Sequence, residues 1–266
     1  MAYKQLKNAP LILVLAQLRF TPYLKMHRCI PDVQEELRKV GFPLFKEEQV
    51  REFMLPPAEM AEPKVRQKNR WIFSSKDQTS SVVLTEDFLV LETNAYTVFA
   101  DFLKQYEEIG ELVVKSASLE VTERIGLRYL NLLRDEEKMK ADEMIAPPLR
   151  GVSAEHAGME DVRHNTVTRG RSAVPVHDSE SGTIVVRTSQ PDDGHFLPPD
   201  LRSSQLKFDI QLKDNERIIA LDIDHYVTLR EDLTMSMVTE VLDRLHDGIE
   251  NAFRGSVTEK AIEVWS

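Results

Sequence analysis

Four cations stand at alternate positions in one short segment: Lys64, Arg66, Lys68 and Arg70 in KVRQKNR. Successive side chains of an extended chain point to opposite faces, so all four project to one side as a cationic stripe. Arg124 and Arg128 share one face of a second extended stretch, RIGLR, and Gly126 between them leaves room for a ligand or another backbone. Two such stripes on neighbouring strands can hold phosphate groups, single-stranded nucleic acid or an acidic partner. These six residues are the anion-binding candidates. A purely structural reading stands beside that one. Alternating cations keep edge strands from pairing with other chains, and Glu120 and Glu123 offer the arginines ordinary ion-pair partners. Trp71 adjoins the stripe and could stack a base, but its parity puts it on the opposite side of a flat strand.

Asp222 and Asp224, in LDIDHY, form the other constellation. On a strand they point the same way, about 6.5–7 Å apart along the backbone. Two carboxylates so placed can share a Mg²⁺ or raise one another's pKa, with Tyr226 beside them. They are the candidate metal ligands of an enzyme acting on a phosphorylated substrate. A hard cation takes further oxygen ligands, and none stands out in the sequence. A solvated strand face, or pairing with arginines, is the structural alternative.

The remaining signatures of catalysis are missing. There is no P-loop, glycine-rich dinucleotide turn, nucleophile elbow or zincin helix, and ten glycines leave little material for a phosphate-cradling loop. The seven histidines are scattered. His246 sits at the edge of a helical stripe and reads as structural. The lone Cys29 reads as a small buried hydrophobe, and Asp192-Asp193-Gly194-His195 as a turn. No catalytic residue and no cofactor is assigned.

With 34 basic and 44 acidic residues the formal charge is −10. That argues against coating nucleic acid or anionic membrane through the overall field, while leaving room for a local basic patch. A single cysteine fits a reducing compartment. The apolar run from Pro10 to Ala16 is too short to span a membrane, and Gln17 and Arg19 interrupt it as a signal peptide. A cytoplasmic protein with no membrane partner is expected.

The elements that must carry these residues follow from periodicity. Pro10 to Phe20 is apolar on both parities and reads as an inner strand covered on both faces. Ile30-Pro31-Asp32 opens a helix that Gly41 stops. Leu55 to Pro63 reads as a loop. Arg70 to Ser74 is a strand, and Val82–Thr85 with Phe88–Leu91 a hairpin turning near Glu86-Asp87. Asn94 caps a long amphipathic helix running from Ala95 to Ser116, and Val121 to Leu132 is a further strand. Edge-like strands cover Arg163–Ala173 and Thr183–Thr188. Leu206–Leu212 alternates as a strand that Arg217–Tyr226 partners. Thr234 caps the closing helix to Phe253, and Ser256 opens a capping box for a last short one. The expected fold class is α+β: antiparallel sheets with long amphipathic helices packed on one face, in two structurally similar halves. The divisions are 1–134, a linker at 135–150, and 151–266.

Three phrases carry a resemblance: Asn8-Ala9-Pro10 leading to Leu18-Arg19-Phe20, Arg124 through Asn131, and Leu245-His246 through Phe253 to Trp265. Together they resemble a sporadically distributed family of prokaryotic proteins of unknown function, roughly 250 residues long, a length typical of one to two domains. The likeness covers nearly the whole chain and is weakest from Gly151 to Leu201. It implies no catalytic residues; the patchy occurrence implies an accessory role, with prokaryotic genome defence as its setting. The expectation is therefore a non-enzymatic accessory or binding protein whose partner is another protein. A nucleic acid or phosphorylated ligand on the cationic stripe, or metal-dependent catalysis at Asp222 and Asp224, is the alternative.

Overall fold

The computed structural model describes residues 6–54, 64–152, 158–160, 162–191, 195–202, 204–212 and 216–266, with backbone alone at 51–54 and 64–66. The loop expected at 55–63 lies outside them. Among the described residues nine strands make one antiparallel sheet: β1 (Leu11–Phe20), β2 (Leu44–Met54), β3 (Lys64–Ser74), β4 (Ser80–Leu84), β5 (Phe88–Thr93), β6 (Val121–Arg134), β7 (Asn165–His177), β8 (Glu180–Ser189) and β9 (Ile218–Asp232). Their order is β2-β3-β4-β5-β1-β6-β9-β8-β7. The helices are α1 (Met26–Lys39), α2 (Phe99–Ala117), α3 (Ala141–Met144), α4 (Met235–Ser256) and α5 (Glu259–Trp265).

β1 lies between β5 and β6, which is why both of its parities are apolar. Val14, Ala16, Leu18 and Phe20 enter the main core, shared with α1, α2 and α4. Leu13 joins a smaller cluster on the other face with Leu130, Ala220, Leu201 and Leu206. The β4–β5 hairpin forms where expected, with the Thr85 N–H donating to the Phe88 carbonyl at 3.0 Å. The Thr234 hydroxyl caps α4 by accepting from the Met237 N–H at 3.3 Å.

The expected fold class does not hold. There are not two similar halves: β6, from the first, pairs with β9, from the second, along nearly its whole length, so one sheet runs through both. Nor does a layer of long helices lie on one face. Among the described residues strand makes up 40% and helix 31%. At 1.5 Å per residue, the 22 residues of α4 reach about 33 Å. Nine strands at about 4.8 Å spacing spread over roughly 38 Å. The backbone neighbours of α2 are α1 and α4. Periodicity reports local shape, whereas the pairing of β6 with β9 joins segments some ninety residues apart.

Several boundaries also move. α1 begins at Met26, leaving Pro31 inside it. α2 starts after Val98, and Asn94 instead donates from Nδ2 to the Lys207 carbonyl at 2.9 Å. Thr258, not Ser256, caps α5. Residues 135–150 hold α3 and a 3-10 turn, with Ala141, Met144 and Ile145 buried. Residues 206–212 form no strand. Leu206 and Phe208 instead pack on the smaller cluster, as do Leu197 and Leu201, so residues 197–202 and 204–208 lie as a strap across that face of the sheet.

His225 of β9 shows how tightly β8, β9 and α4 fit. It is fully buried, and its Nδ1 donates to the Leu245 carbonyl at 3.0 Å. A Cβ on Gly182 would lie 2.5 Å from one ring atom, and on Gly248 2.4 Å from others. Glycine in a helix ordinarily costs about 1 kcal/mol relative to alanine, so Gly248→Ala would stabilise an exposed helix. Here it drives a methyl into the imidazole, and urea unfolding should show a loss of roughly 1–3 kcal/mol. Burial holds the His225 pKa below its ordinary 6.5. The folded state therefore binds this proton less readily than the unfolded chain does. The stability at stake is complete above 6.5 and is lost as the pH falls below it. His225→Asn should flatten the fall in stability measured between neutral and mildly acidic buffers.

Candidate anion-binding site

The face of the sheet under the strap is not purely apolar. A cleft of about 560 Å³ opens there, walled by Leu15, Gln17, Val83 and Val90, by the strap residues Asp200, Leu201 and Ser204, and by charged residues of five strands. Lys68 and Arg70 come from β3, Glu92 from β5, Arg124 and Arg128 from β6, Arg187 from β8 and Asp224 from β9. The two cationic stripes thus meet one concave surface, although β4, β5 and β1 separate their strands. The side chains of Lys64 and Arg66 lie outside the described residues.

At the floor sits a buried ion cluster. Arg128 donates from Nε and Nη2 to the two carboxylate oxygens of Asp222, at 2.7 and 2.8 Å. Arg187, opposite Asp222 in the β8–β9 register, adds a third bond at 3.2 Å. From the strap, Asp200 caps the other edge of the Arg128 guanidinium. Burial alone would make Arg128 easier to deprotonate, but the bonds to Asp222 and Asp200 outweigh it and raise its pKa. Asp222 has only 4% of its side chain exposed and spends both oxygens on arginine.

Asp224 is less well served. Burial raises its pKa, against the pull of Arg124, whose Nη2 stands 3.6 Å away. The Arg124 guanidinium lies 4.2 Å above the Tyr226 ring and donates to Gln17 Oε1 at 2.5 Å. Gly126 faces Tyr226 across the β6–β9 ladder, and a Cβ there would come within 3.3 Å of the Tyr226 Cβ and 3.4 Å of the Arg124 guanidinium. Gly126 lines the cleft, and Arg124 and Tyr226 border the space beside it.

Further out, Lys68 meets the Asp87 carboxylate at 2.9 Å, and Arg19 meets the same oxygen at 3.2 Å. Arg70 stands 3.9 Å from Glu48. Glu92 accepts from the hydroxyls of Ser81 and Ser204 at 2.7 and 2.8 Å, and burial raises its pKa despite them. Trp71 is buried and donates to Glu47, so it offers no stacking surface to the cleft.

Sequence reasoning found Lys68, Arg70, Arg124, Arg128, Asp222 and Asp224 but missed Arg187, Asp200 and Glu92. Arg187 follows the apolar run IVV, and Glu92 follows LVL; a charge within an inner-strand pattern was the available signal. Asp200 carried none, because its role depends on the strap crossing the sheet. Among the described residues the one group of three or more metal-ligating side chains is His177, Asp178 and Glu231, outside the cleft; Asp222 and Asp224 belong to none. No described helix is long and apolar enough to cross a membrane. No family model and no curated protein matches this chain.

Removing one partner of a buried pair strands the other charge. Arg128→Ala should cost about 3–5 kcal/mol in chemical denaturation, whereas the volume-matched Arg128→Met/Asp222→Leu double substitution should recover most of that loss.

Proposed function

We propose that the chain is a binding protein whose cleft takes an elongated, phosphate-bearing ligand, of which a nucleotide or a short single strand is the type. The observation that carries this reading is the convergence of Lys68, Arg70, Arg124, Arg128 and Arg187 on one concave surface of a protein whose formal charge is −10. Four strand spacings separate β3 from β6, roughly 19 Å, so one phosphate cannot meet both stripes. An extended ligand with anionic groups at more than one point can. Apolar Leu15, Val83 and Val90 between the stripes suit a flat, weakly polar body.

Asp200 supports the same reading. It offers a carboxylate to Arg128 from a strap, with 62% of its side chain exposed. A ligand phosphate can replace it without unburying Asp222, and it would bind arginine more strongly than a single carboxylate does. Asp222 is the structural counter-ion here, and its engagement with Arg128 and Arg187 does not favour metal-dependent chemistry.

The test is a titration with adenosine triphosphate and with short oligo(dT) and oligo(U) at several salt concentrations. Arg124→Ala should weaken binding of all three ligands, and Arg70→Ala that of the oligonucleotides, about tenfold or more, each lowering the salt slope by close to one unit. Asp200→Ala should tighten binding several-fold. Absence of binding at low salt, or binding indifferent to both arginine substitutions, would sink the proposal.

A further inference from the structure

A second cavity, of about 750 Å³, opens among α4, the start of α2, β6 and residues 6–11. It shares no lining residue with the cleft. Its chemistry is opposite in kind. Tyr96, Phe99 and Tyr129 contribute aromatic walls, and the His246 ring stacks on Phe99 with centroids 4.0 Å apart. The hydroxyl of Tyr129 lies 2.9 Å from His246 Nδ1 and 3.3 Å from the Tyr96 hydroxyl. That network occupies the polar edges of the rings and leaves aromatic surface lining the space.

Two carboxylates, Asp247 and Glu250, line the same space from α4. Glu250 is half-buried. Unlike Asp222, Asp200 and Asp87 in and around the cleft, it holds neither a hydrogen bond nor an ion pair among the described residues. Burial raises its pKa, and the attraction of Arg254, one turn along α4, does not offset this. A partly desolvated carboxylate without a donor, beside aromatic faces, is the arrangement that recognises an organic cation, through charge and through the ring quadrupoles. Lys7 and Arg254 also line the cavity, so a ligand must reach Glu250 with its charged group rather than be drawn by the net field.

We infer that this cavity is a second binding site, for a small amine carried on an aromatic or apolar body, with Glu250 as the ammonium acceptor and Phe99, Tyr96 and Tyr129 as walls. The site is independent of the one proposed for the phosphate-bearing ligand.

Phenethylamine and 3-phenylpropionate share a body and differ in the sign of their charge, so they are the probes. In ligand-observed NMR and calorimetry, phenethylamine should bind the full chain at millimolar concentration, and phenylpropionate about tenfold more weakly or not at all. Glu250→Gln should weaken phenethylamine about tenfold while leaving adenosine triphosphate binding and the unfolding midpoint unchanged. If Glu250→Gln perturbs folding, Asp247→Asn provides the second reading and should weaken the amine several-fold. Equal binding of the two probes, no binding of the amine, or amine binding indifferent to both substitutions would overturn the inference. Loss of nucleotide binding with the amine result intact would count against the cleft alone.

Discussion

The Arg128–Asp222 pair is the constraint on which the open face of the sheet depends. Two ions withdrawn from water cost several kcal/mol each, and only close, directional bonding repays that. The pair meets the condition with two parallel bonds between β6 and β9, the strands that join the N-terminal and C-terminal parts of the chain. Its leftover valences then dictate the neighbourhood. Arg187 satisfies the remaining capacity of Asp222, and Asp200 covers the far edge of Arg128. The strap is held where Asp200 must be by Leu201 and Leu206 beneath it, by Ser204 on Glu92 and by Asn94 on the Lys207 carbonyl. A charged seam thereby becomes the floor of a cleft.

The two faces of the sheet solve different problems. The main core buries large aliphatic and aromatic side chains of α1, α2 and α4 against even-numbered positions of β1. The other face divides its apolar residues into two small clusters, Leu13 with Leu130 and Ile72 with Val83 and Val90. The charged residues of the cleft fall between and around them. Every charge described there has an opposite within reach, which reconciles a cation-rich site with a sheet interior that tolerates no stranded ion. A ligand anion therefore enters by exchange, taking the place of a protein carboxylate, and its affinity reflects the difference between two ion pairs rather than the full strength of one.

What the sequence makes legible is what local pattern encodes. Apolar residues on both parities mark β1 as central, the Glu86-Asp87 turn marks the β4–β5 hairpin, and Thr234 marks the start of α4. The parity of Lys68 and Arg70, and of Arg124 and Arg128, correctly selects side chains that share a face. What fails is non-local. The similar order of strands and helix in the two parts of the chain gives no sign that β6 pairs with β9. Leu206–Phe208 alternates like a strand because its apolar residues do face one surface, but that surface is the sheet itself rather than a partner strand. Gly126 lines the cleft, with Arg124 and Tyr226 at its edge. Asp200 leaves no trace in the pattern because a strap is defined by where it lands.

A crystal structure of the protein soaked with adenosine triphosphate tests the central claim most directly. The account predicts phosphate density against the guanidinium groups of Arg124 and Arg128, with Asp200 swung away from Arg128 and the Arg128–Asp222 pair intact. Phosphate bound elsewhere on the molecule, or none bound and Asp200 still in place on Arg128, would contradict it.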